Sequence, residues 1–113
     1  MNEKPKVYVP QEPSRYDAAF NARVPTVDLR PATLFGDVTV MLPSNVTGML
    51  MAPIVTALKE KLAAFSDQDF LVAIGDPSII AAASGIVLKK NGRMKMLKWD
   101  KRIKAYAVVE IEL

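Results

Sequence analysis

The stretch "FLVAIGDPSII", residues 70–80, decides the fold, because an apolar run breaks at Gly-Asp-Pro into a helical pattern. The run Phe70–Ile74 is almost continuously apolar, which is typical of a strand that is covered on both faces. Asp76 is a favoured N-cap residue. Pro77 suits the first position of a helix, since its missing N–H would have no partner there. Residues 70–80 therefore predict a buried strand that passes directly into a helix.

The remaining elements follow from alternation and helical periodicity on either side of this junction. They are a strand at 37–42, a helix at 53–65, a helix at 77–90, and two strands at 93–99 and 105–113. The segment Val7–Val9 is interpreted as a short edge strand. Two right-handed crossovers make the strands at 37–42, 70–74 and 93–99 parallel, and the last strand returns antiparallel.

These elements predict one α/β domain spanning residues 1–113, which is an ordinary domain length. We expect a single-domain sandwich of two helices on a mixed four- or five-stranded sheet, in the order (β)βαβαββ, with a C-terminal β-hairpin. Residues 1–36 carry five of the eight prolines. Because proline fixes φ and forces its predecessor to be extended, we interpret residues 1–36 as a mostly extended N-terminal arm.

Composition excludes several kinds of chemistry. The chain has no cysteine and no histidine, which removes thiolate metal sites, a Cys nucleophile and the usual general base. Neither glycine-rich nucleotide-binding motif occurs, and Ser44 and Ser78 have no activating base beside them in the sequence. We therefore expect no cofactor, no metal and no catalytic residues.

Compartment is indicated by the same composition. The N-terminus has no apolar signal-peptide region, and no apolar run reaches the ~18 residues that a membrane span needs. A chain without cysteine suits a reducing compartment. We expect a cytoplasmic protein that has no membrane partner.

The Gly-Asp-Pro turn has two interpretations. The first is structural, since Gly75 permits a sharp turn and Asp76 caps the following helix. The second is a small-ligand site at Gly75, Asp76 and Ser78, because ligands of open α/β sheets lie outside the carboxyl ends of parallel strands. The capping carboxylate would compete with any bound anion, which favours the structural interpretation.

The C-terminal hairpin is strongly basic, with eight basic residues and one acidic residue between Lys89 and Lys104. Pairing Trp99 with Tyr106 gives sensible partners throughout, including Arg93 with Glu112 and Lys95 with Glu110. The predicted contact residues for nucleic acid or an acidic partner are Lys89, Lys90, Lys98, Trp99, Lys101, Arg102, Lys104 and Tyr106. Unpaired cations beside aromatic rings can bind phosphates and stack on bases. A lysine-rich edge also prevents aggregation, and the arm at 1–36 is an alternative cover for both rings.

Apolar surfaces offer an alternative partner. The loop residues Met49, Leu50 and Met51 are either core-directed or an adaptable protein contact. The small residues of the helix at 77–90 usually indicate tight packing on the sheet, but a twin subunit can use the same surface.

Four segments carry a resemblance to small proteins encoded by tailed bacteriophages: "QEPSRYD", "FGDVTVMLP", "DFLVAIGDPSIIAAA" and "LKWDKRIKAYAVVEIEL". The most specific parts are Gly75-Asp76-Pro77 and Leu97-Lys98-Trp99-Asp100-Lys101, followed by Tyr106. The resemblance implies expression inside an infected bacterial cell. It brings no known activity, so no functional residue is transferred from it.

Taken together, the sequence predicts a non-enzymatic binding module of phage type. The favoured partner is nucleic acid, or a protein that handles nucleic acid, at the basic hairpin. The alternative is a homo-oligomeric protein-interaction module that uses apolar surfaces, and the second alternative is the ligand edge at Gly75.

Overall fold

The computed structural model describes residues 4–46 and 49–113. Its strands are β1 (Lys6–Gln11), β2 (Ser14–Asp17), β3 (Ala22–Pro25), β4 (Asp37–Leu42), β5 (Phe70–Val72), β6 (Arg93–Asp100) and β7 (Ala105–Glu112). Its α-helices are α1 (Met51–Lys61) and α2 (Pro77–Asn91), and a 3-10 helix spans Arg30–Leu34. The predicted α/β class, the two helices and the C-terminal hairpin are confirmed.

The main sheet has five strands in the order β4-β1-β5-β6-β7, and β2 and β3 form a separate two-stranded ribbon. Strands β4, β1, β5 and β6 are parallel, whereas β7 is antiparallel to β6. The hairpin register is the predicted one, with Trp99 opposite Tyr106 and Arg93 opposite Glu112. The alternating sequence specified this register because a shift by one residue would turn every buried side chain outward.

The first strand is not the edge strand that the sequence predicted at Val7–Val9. Strand β1 lies between β4 and β5, and Val7 to Gln11 are all buried. Its pairing with β4 passes over Pro10, so the missing N–H of proline is tolerated inside the sheet. The described part of the predicted arm therefore supplies a central strand, the ribbon and the 3-10 helix, and residues 1–3 of that prediction lie outside the described residues.

The order of the strands places the connections on two faces. The chain moves from β1 to β4 in one direction and then from β4 through β5 to β6 in the other. Because crossovers are right-handed, the reversal puts the first connection on the face opposite the two α-helices. Tyr8 and Leu71 accordingly pack with the helices, while Val7 and Phe70 pack with the segment around the 3-10 helix.

The carboxyl edge of the sheet is the edge at which all four parallel strands end. We use this name for the edge and for the described segments that leave it, which are 12–29, 43–46, 49–50, 73–76 and 101–104. The ribbon β2–β3 belongs to the first of these segments. The reversal of strand order lies between β1 and β5, and this is the position at which open α/β sheets tend to bind ligands.

Candidate functional site

The Gly-Asp-Pro turn is a helix cap, as the structural interpretation predicted. Asp76 is the N-cap of α2, and its Oδ1 accepts a hydrogen bond from the backbone N–H of Ser78 at 2.9 Å. Pro77 occupies the first turn. Gly75 has a φ of +124°, which other residues adopt only with strain. Each residue of the turn thus has a role in joining β5 to α2.

The crevice between β1 and β5 is filled by Gln11, which the sequence patterns did not single out. Its side-chain Nε2 donates to the carbonyl oxygens of Pro43 at 3.1 Å and Val46 at 2.6 Å. Its Oε1 accepts from the backbone N–H of Asp76 at 3.1 Å. A Cβ on Gly75 would lie 2.8 Å from the Gln11 Cβ. Gln11 therefore bridges the loops after β4 and β5 and occupies the space at the strand reversal.

Trp99 and Tyr106 form an aromatic pair near the tip of the hairpin. Their ring centroids are 5.0 Å apart with an interplanar angle of 72°, the edge-to-face arrangement that aromatic pairs prefer. Tyr106 is 6% exposed and belongs to the core, whereas Trp99 is 44% exposed. The arm therefore covers one ring and leaves almost half of the other in solvent.

An open cleft lies between this pair and the arm. Its volume is about 450 Å³, within the ~300–1,000 Å³ range of ligand pockets. Its lining is mainly apolar and consists of Thr26, Val27, Asp28, Pro31, Ile74, Trp99 and Tyr106. We call it the Trp99 cleft. The sequence indicated Trp99 and Tyr106, but the arm residues were missed because their contribution depends on the path of the chain across the sheet.

The polar rim of the Trp99 cleft is a local ion pair. Arg30 NH2 lies 2.8 Å from Asp28 Oδ2, and Arg30 Nε also donates to the same carboxylate. Hydrogen bonds from the Arg30 side chain lower the pKa of Asp28 to about 2, so the carboxylate stays charged at neutral pH. Burial, and secondarily the charge of Asp28, raise the pKa of the Tyr106 hydroxyl above its ordinary value of 10.0. Tyr106 is therefore neutral at physiological pH.

The basic residues do not form the single cluster that the sequence suggested. Lys89 and Lys90 lie at the end of α2, where β6 begins, whereas the loop 101–104 follows the end of β6. Eight strand residues at ~3.3 Å each separate the two groups by about 25 Å. Lys90 Nζ also donates to the carbonyl oxygen of Ala63, which is a structural contact at the end of α1.

Arg102 is not unpaired, which corrects the prediction for this residue. Its NH2 lies 3.2 Å from Asp100 Oδ2, and its backbone N–H donates to Oδ1 at 2.9 Å. Hydrogen bonds from the Arg102 side chain and backbone lower the pKa of Asp100. The exposed lysines of the tip are Lys98, Lys101 and Lys104, and Lys98 points to the face opposite Trp99 because neighbouring strand residues alternate.

The strand partners Arg93 and Lys95 make other side-chain contacts than the register alone suggests. Arg93 Nε lies 3.6 Å from Asp67 Oδ2. Lys95 Nζ lies 4.3 Å from the centroid of the Phe70 ring, a cation–π contact. Both cations are therefore engaged at the amino end of β6, away from the Trp99 cleft.

Exposed large apolar side chains concentrate at the carboxyl edge. Of the ten exposed large apolar residues among those described, six are there: Tyr16, Phe20, Met49, Leu50, Trp99 and Ile103. The loop of Met49, Leu50 and Met51 is divided, because Met51 packs against the core while the other two face solvent. These six residues belong to three segments of the edge: the ribbon, the loop before α1 and the end of the hairpin.

The outer surface of the two helices is a second apolar feature. A shallow groove of about 530 Å³ lies between α1 and α2, and Val55, Ala82, Gly85 and Ile86 contribute to it. A Cβ added at Gly85 would meet no atom within 4 Å. The small residues of α2 therefore leave space on the outside, in addition to packing on the sheet through Ala83.

Two further searches of residues 4–46 and 49–113 bear on possible sites. No group of three or more acidic side chains in these ranges is arranged to hold a metal ion. In the same ranges, no helix combines the length and the apolar character required to cross a bilayer.

The fold and the site define a small α/β protein. Its sheet is mainly parallel, its strand order reverses between β1 and β5, and its carboxyl edge carries exposed apolar side chains. Residues 5–113 match the family described as Phage Pam3 gp32-like protein, and the chain belongs to this family. This match supports the phage resemblance that the four sequence segments indicated. No curated protein and no solved structure matches the chain.

Proposed function

We propose that this phage protein is a non-enzymatic protein-interaction module that receives an aromatic or aliphatic side chain of a protein partner in the Trp99 cleft. The observation that carries the proposal is the half-exposed Trp99 ring at the wall of a mainly apolar cleft. Trp, Tyr and Arg are enriched among the few side chains that supply most of the binding energy at protein interfaces. The cleft is open to solvent, and its lining includes the buried Tyr106 and the partly buried Ile74, so an inserted side chain would meet packed protein at its inner end.

The surroundings of the cleft support a protein partner. Ile103 is exposed in the hairpin loop that follows β6, so a partner seated on Trp99 could cover further apolar surface there. The ion pair of Asp28 and Arg30 gives the rim a satisfied polar boundary, as interfaces with an apolar centre and polar rim have.

The test uses the fact that Trp99 is the sole tryptophan of the chain, so its emission reports on the cleft. N-acetylphenylalaninamide should shift this emission saturably, with a dissociation constant of about 1 mM given ~0.3 kcal/mol per heavy atom. N-acetylglycinamide, which lacks the ring, should give no saturable response. The absence of any saturable shift with the aromatic amide, in protein diluted until it is monomeric, would refute the proposal.

Matched variants locate the response. Thr26 is exposed and lines the cleft, so Thr26→Phe should fill part of it and abolish the emission shift. Thr56 is exposed on α1, so Thr56→Phe makes the same chemical change elsewhere and should leave the shift unchanged. Equal loss in both variants would show that the response does not come from the cleft.

Nucleic-acid binding at the hairpin tip is the second candidate function. The observation that favours it is that Lys101 and Lys104 are exposed in the loop that follows Trp99. Reversing both lysines to Glu should weaken binding and flatten the log–log salt slope by ~0.7–0.9 per phosphate contact. Gel shifts at low salt on single- and double-stranded DNA and RNA test it, and no shift on any of them would remove this candidate.

A further inference from the structure

We infer that the occupant of the Trp99 cleft is Phe20 at the tip of the β2–β3 ribbon of a second copy of this chain, exchanged reciprocally in a dimer. The inference rests on the proposed function, since it names the partner that the cleft receives. It is carried by the ribbon, which projects an aromatic side chain into solvent, and by the size and lining of the cleft.

The ribbon stands apart from the body of the protein. None of the eight residues in β2 and β3 is buried. Its base is joined to the segment that follows β4 by a hydrogen bond from Ser14 Oγ to Ser44 Oγ at 2.8 Å. Two-stranded ribbons are at best marginally stable in water on their own, so a partner that covers the tip would supply the packing that the body does not.

The tip is organised by its own contacts. Tyr16 donates its hydroxyl hydrogen to Asn21 Oδ1 at 2.5 Å, and Arg23 Nε donates to Ser14 Oγ at 2.9 Å. The backbone N–H of Ala19 donates to Asp17 Oδ1 at 2.9 Å. These bonds fix the turn that carries Phe20, which is 72% exposed. Because the turn is fixed before binding, its backbone loses little conformational entropy when Phe20 docks.

The tip of a given chain does not occupy its own cleft, since Phe20 is not among the residues that line it. The cleft begins at Thr26, which directly follows the base of the ribbon at Pro25. Four paired residues at ~3.3 Å each carry the tip about 13 Å away from that base. The length of the paired ribbon therefore separates Phe20 from the cleft of its own chain. We infer that Phe20 contacts the cleft of a second copy instead.

The area of the contact selects reciprocal exchange. A buried aromatic side chain contributes ~150–250 Å², so Tyr16, which is 57% exposed, and Phe20 together offer about 250 Å² per tip. With the matching cleft surface, one docked tip buries about 500 Å², below the ~1,000 Å² that a specific interface needs. Two tips exchanged in a closed dimer reach that value, whereas a single one-way contact does not.

The test is the mass of the full-length protein in solution, measured by light scattering across concentrations. Wild-type protein should be a dimer at tens of micromolar, and Phe20→Ala should raise the dimer dissociation constant at least tenfold. Leu34 is the matched control, because it is 86% exposed but lies on the 3-10 helix outside the ribbon. Leu34→Ala should dimerise like the wild type.

Several results would overturn the inference. They are a wild-type monomer at several hundred micromolar, a Phe20→Ala protein that dimerises like the wild type, equal weakening by Leu34→Ala, and open chains of many copies. Because Phe20 is exposed, its replacement should leave the thermal unfolding midpoint of the monomer unchanged, and a circular-dichroism melt checks this.

Trp99 emission separates this inference from the proposed function. Dilution of the wild type should shift the emission to the red as the partner's tip leaves the cleft, and Phe20→Ala should show the red emission at every concentration. A protein that stays monomeric but binds N-acetylphenylalaninamide keeps the receptor cleft and refutes only the self-docking. A protein that neither dimerises nor binds the amide refutes both.

Discussion

Two places on the carboxyl edge of the sheet differ in one respect: the crevice beside Gly75 is closed, whereas the cleft beside Trp99 is open. The first lies at the reversal of strand order, where general experience with α/β sheets places a ligand, yet the Gln11 side chain fills it and bonds both of its walls. The second lies on the arm side of the hairpin, where the chain between Thr26 and Pro31 passes close to Trp99 without covering it.

The difference shows that the topology of a sheet indicates where a ligand could bind, whereas the side chains determine whether that position is accessible. In the crevice beside Gly75, polar groups bond one another within the protein, so a ligand would have to replace existing hydrogen bonds. In the Trp99 cleft, an apolar ring remains in water, so covering it with a partner is favourable. The predictions below test whether the crevice beside Gly75 has only a structural role and whether the Trp99 cleft binds a partner.

The largest effect is expected for Gln11→Ala. Removing the amide leaves the Asp76 N–H and the carbonyl oxygens of Pro43 and Val46 without this partner. Three part-buried hydrogen bonds at ~0.5–1.5 kcal/mol each, together with the packing of a Gln11 side chain that is only 5% exposed, should lower the free energy of unfolding by about 3–5 kcal/mol. Chemical denaturation measures this, and Gln68→Ala, at an exposed position, should cost less than ~0.5 kcal/mol. Equal effects of the two variants would show that Gln11 does not hold the loops.

Gly75→Ala should have the next largest effect. The φ of +124° strains any residue with a Cβ, and the added carbon would lie 2.8 Å from the Gln11 Cβ. We expect a loss of about 2–4 kcal/mol of unfolding free energy. Gly85→Ala is the control, because its Cβ meets open space in the middle of α2 and should stabilise the protein by ~0.5–1 kcal/mol. A tolerated Gly75→Ala would mean that the crevice has room.

Trp99→Ala should cost less stability than loss of a buried tryptophan. Because Trp99 is half in solvent and pairs with Tyr106, we expect about 1–2 kcal/mol from the aromatic contact and partial burial. A fully buried tryptophan would cost ~3–5 kcal/mol. The substitution should also abolish dimerisation, measured by light scattering. Ile103→Ala, at another exposed apolar residue near the end of the C-terminal hairpin, should change the folding stability by less than ~0.5 kcal/mol.

Asp76→Ala should lower stability by ~0.5–2 kcal/mol, because α2 loses its N-cap. The Trp99 cleft should be unaffected, so amide binding and dimer mass should match the wild type. Asp76→Asn is the conservative comparison, since the amide oxygen can still cap the helix. Loss of amide binding at unchanged thermal stability would instead show that the crevice beside Gly75 is a functional site.

The smallest effect concerns alkaline pH. The folded-state pKa of Tyr106 is raised above its ordinary value of 10.0, chiefly by burial. The folded protein therefore holds this proton more tightly than the unfolded chain, so the stability it contributes is complete below pH ~10 and is lost as pH rises through the folded pKa. Tyr106→Phe should reduce this alkaline loss, measured by thermal melts between pH 8 and 11. An unchanged pH dependence would show that Tyr106 does not report on the floor of the cleft.

Much of the sheet was predictable because its signals are local. Alternation between residues 93 and 112 fixed the hairpin register, and the cap at Asp76 follows from three adjacent residues. The position of β1 was not predictable from its own residues, since Pro10 argues against a central strand and its partners lie far away in the chain.

The candidate site was only half predictable for the same reason. Trp99 and Tyr106 could be identified as a cross-strand pair, but the cleft requires the return of Val27 and Pro31 across the sheet. The ribbon was missed because "SRYDAAFNARVP" has little apolar alternation, and its turn depends on Asn21 with a φ of +48°. Ion pairing of Arg102 with Asp100 likewise depends on the geometry of the loop.

The central position of β1 governs the order in which the sheet can be assembled. Val7 pairs with Phe70, a partner 63 positions later, and β4 joins the sheet only through β1. During synthesis, β1 has no partner on its β5 side until the residues of β5 have been made. Closing so long a loop is entropically costly and slow compared with forming the local C-terminal hairpin. We therefore expect the hairpin and α2 to form early and the union of β1 with β5 to limit the folding rate.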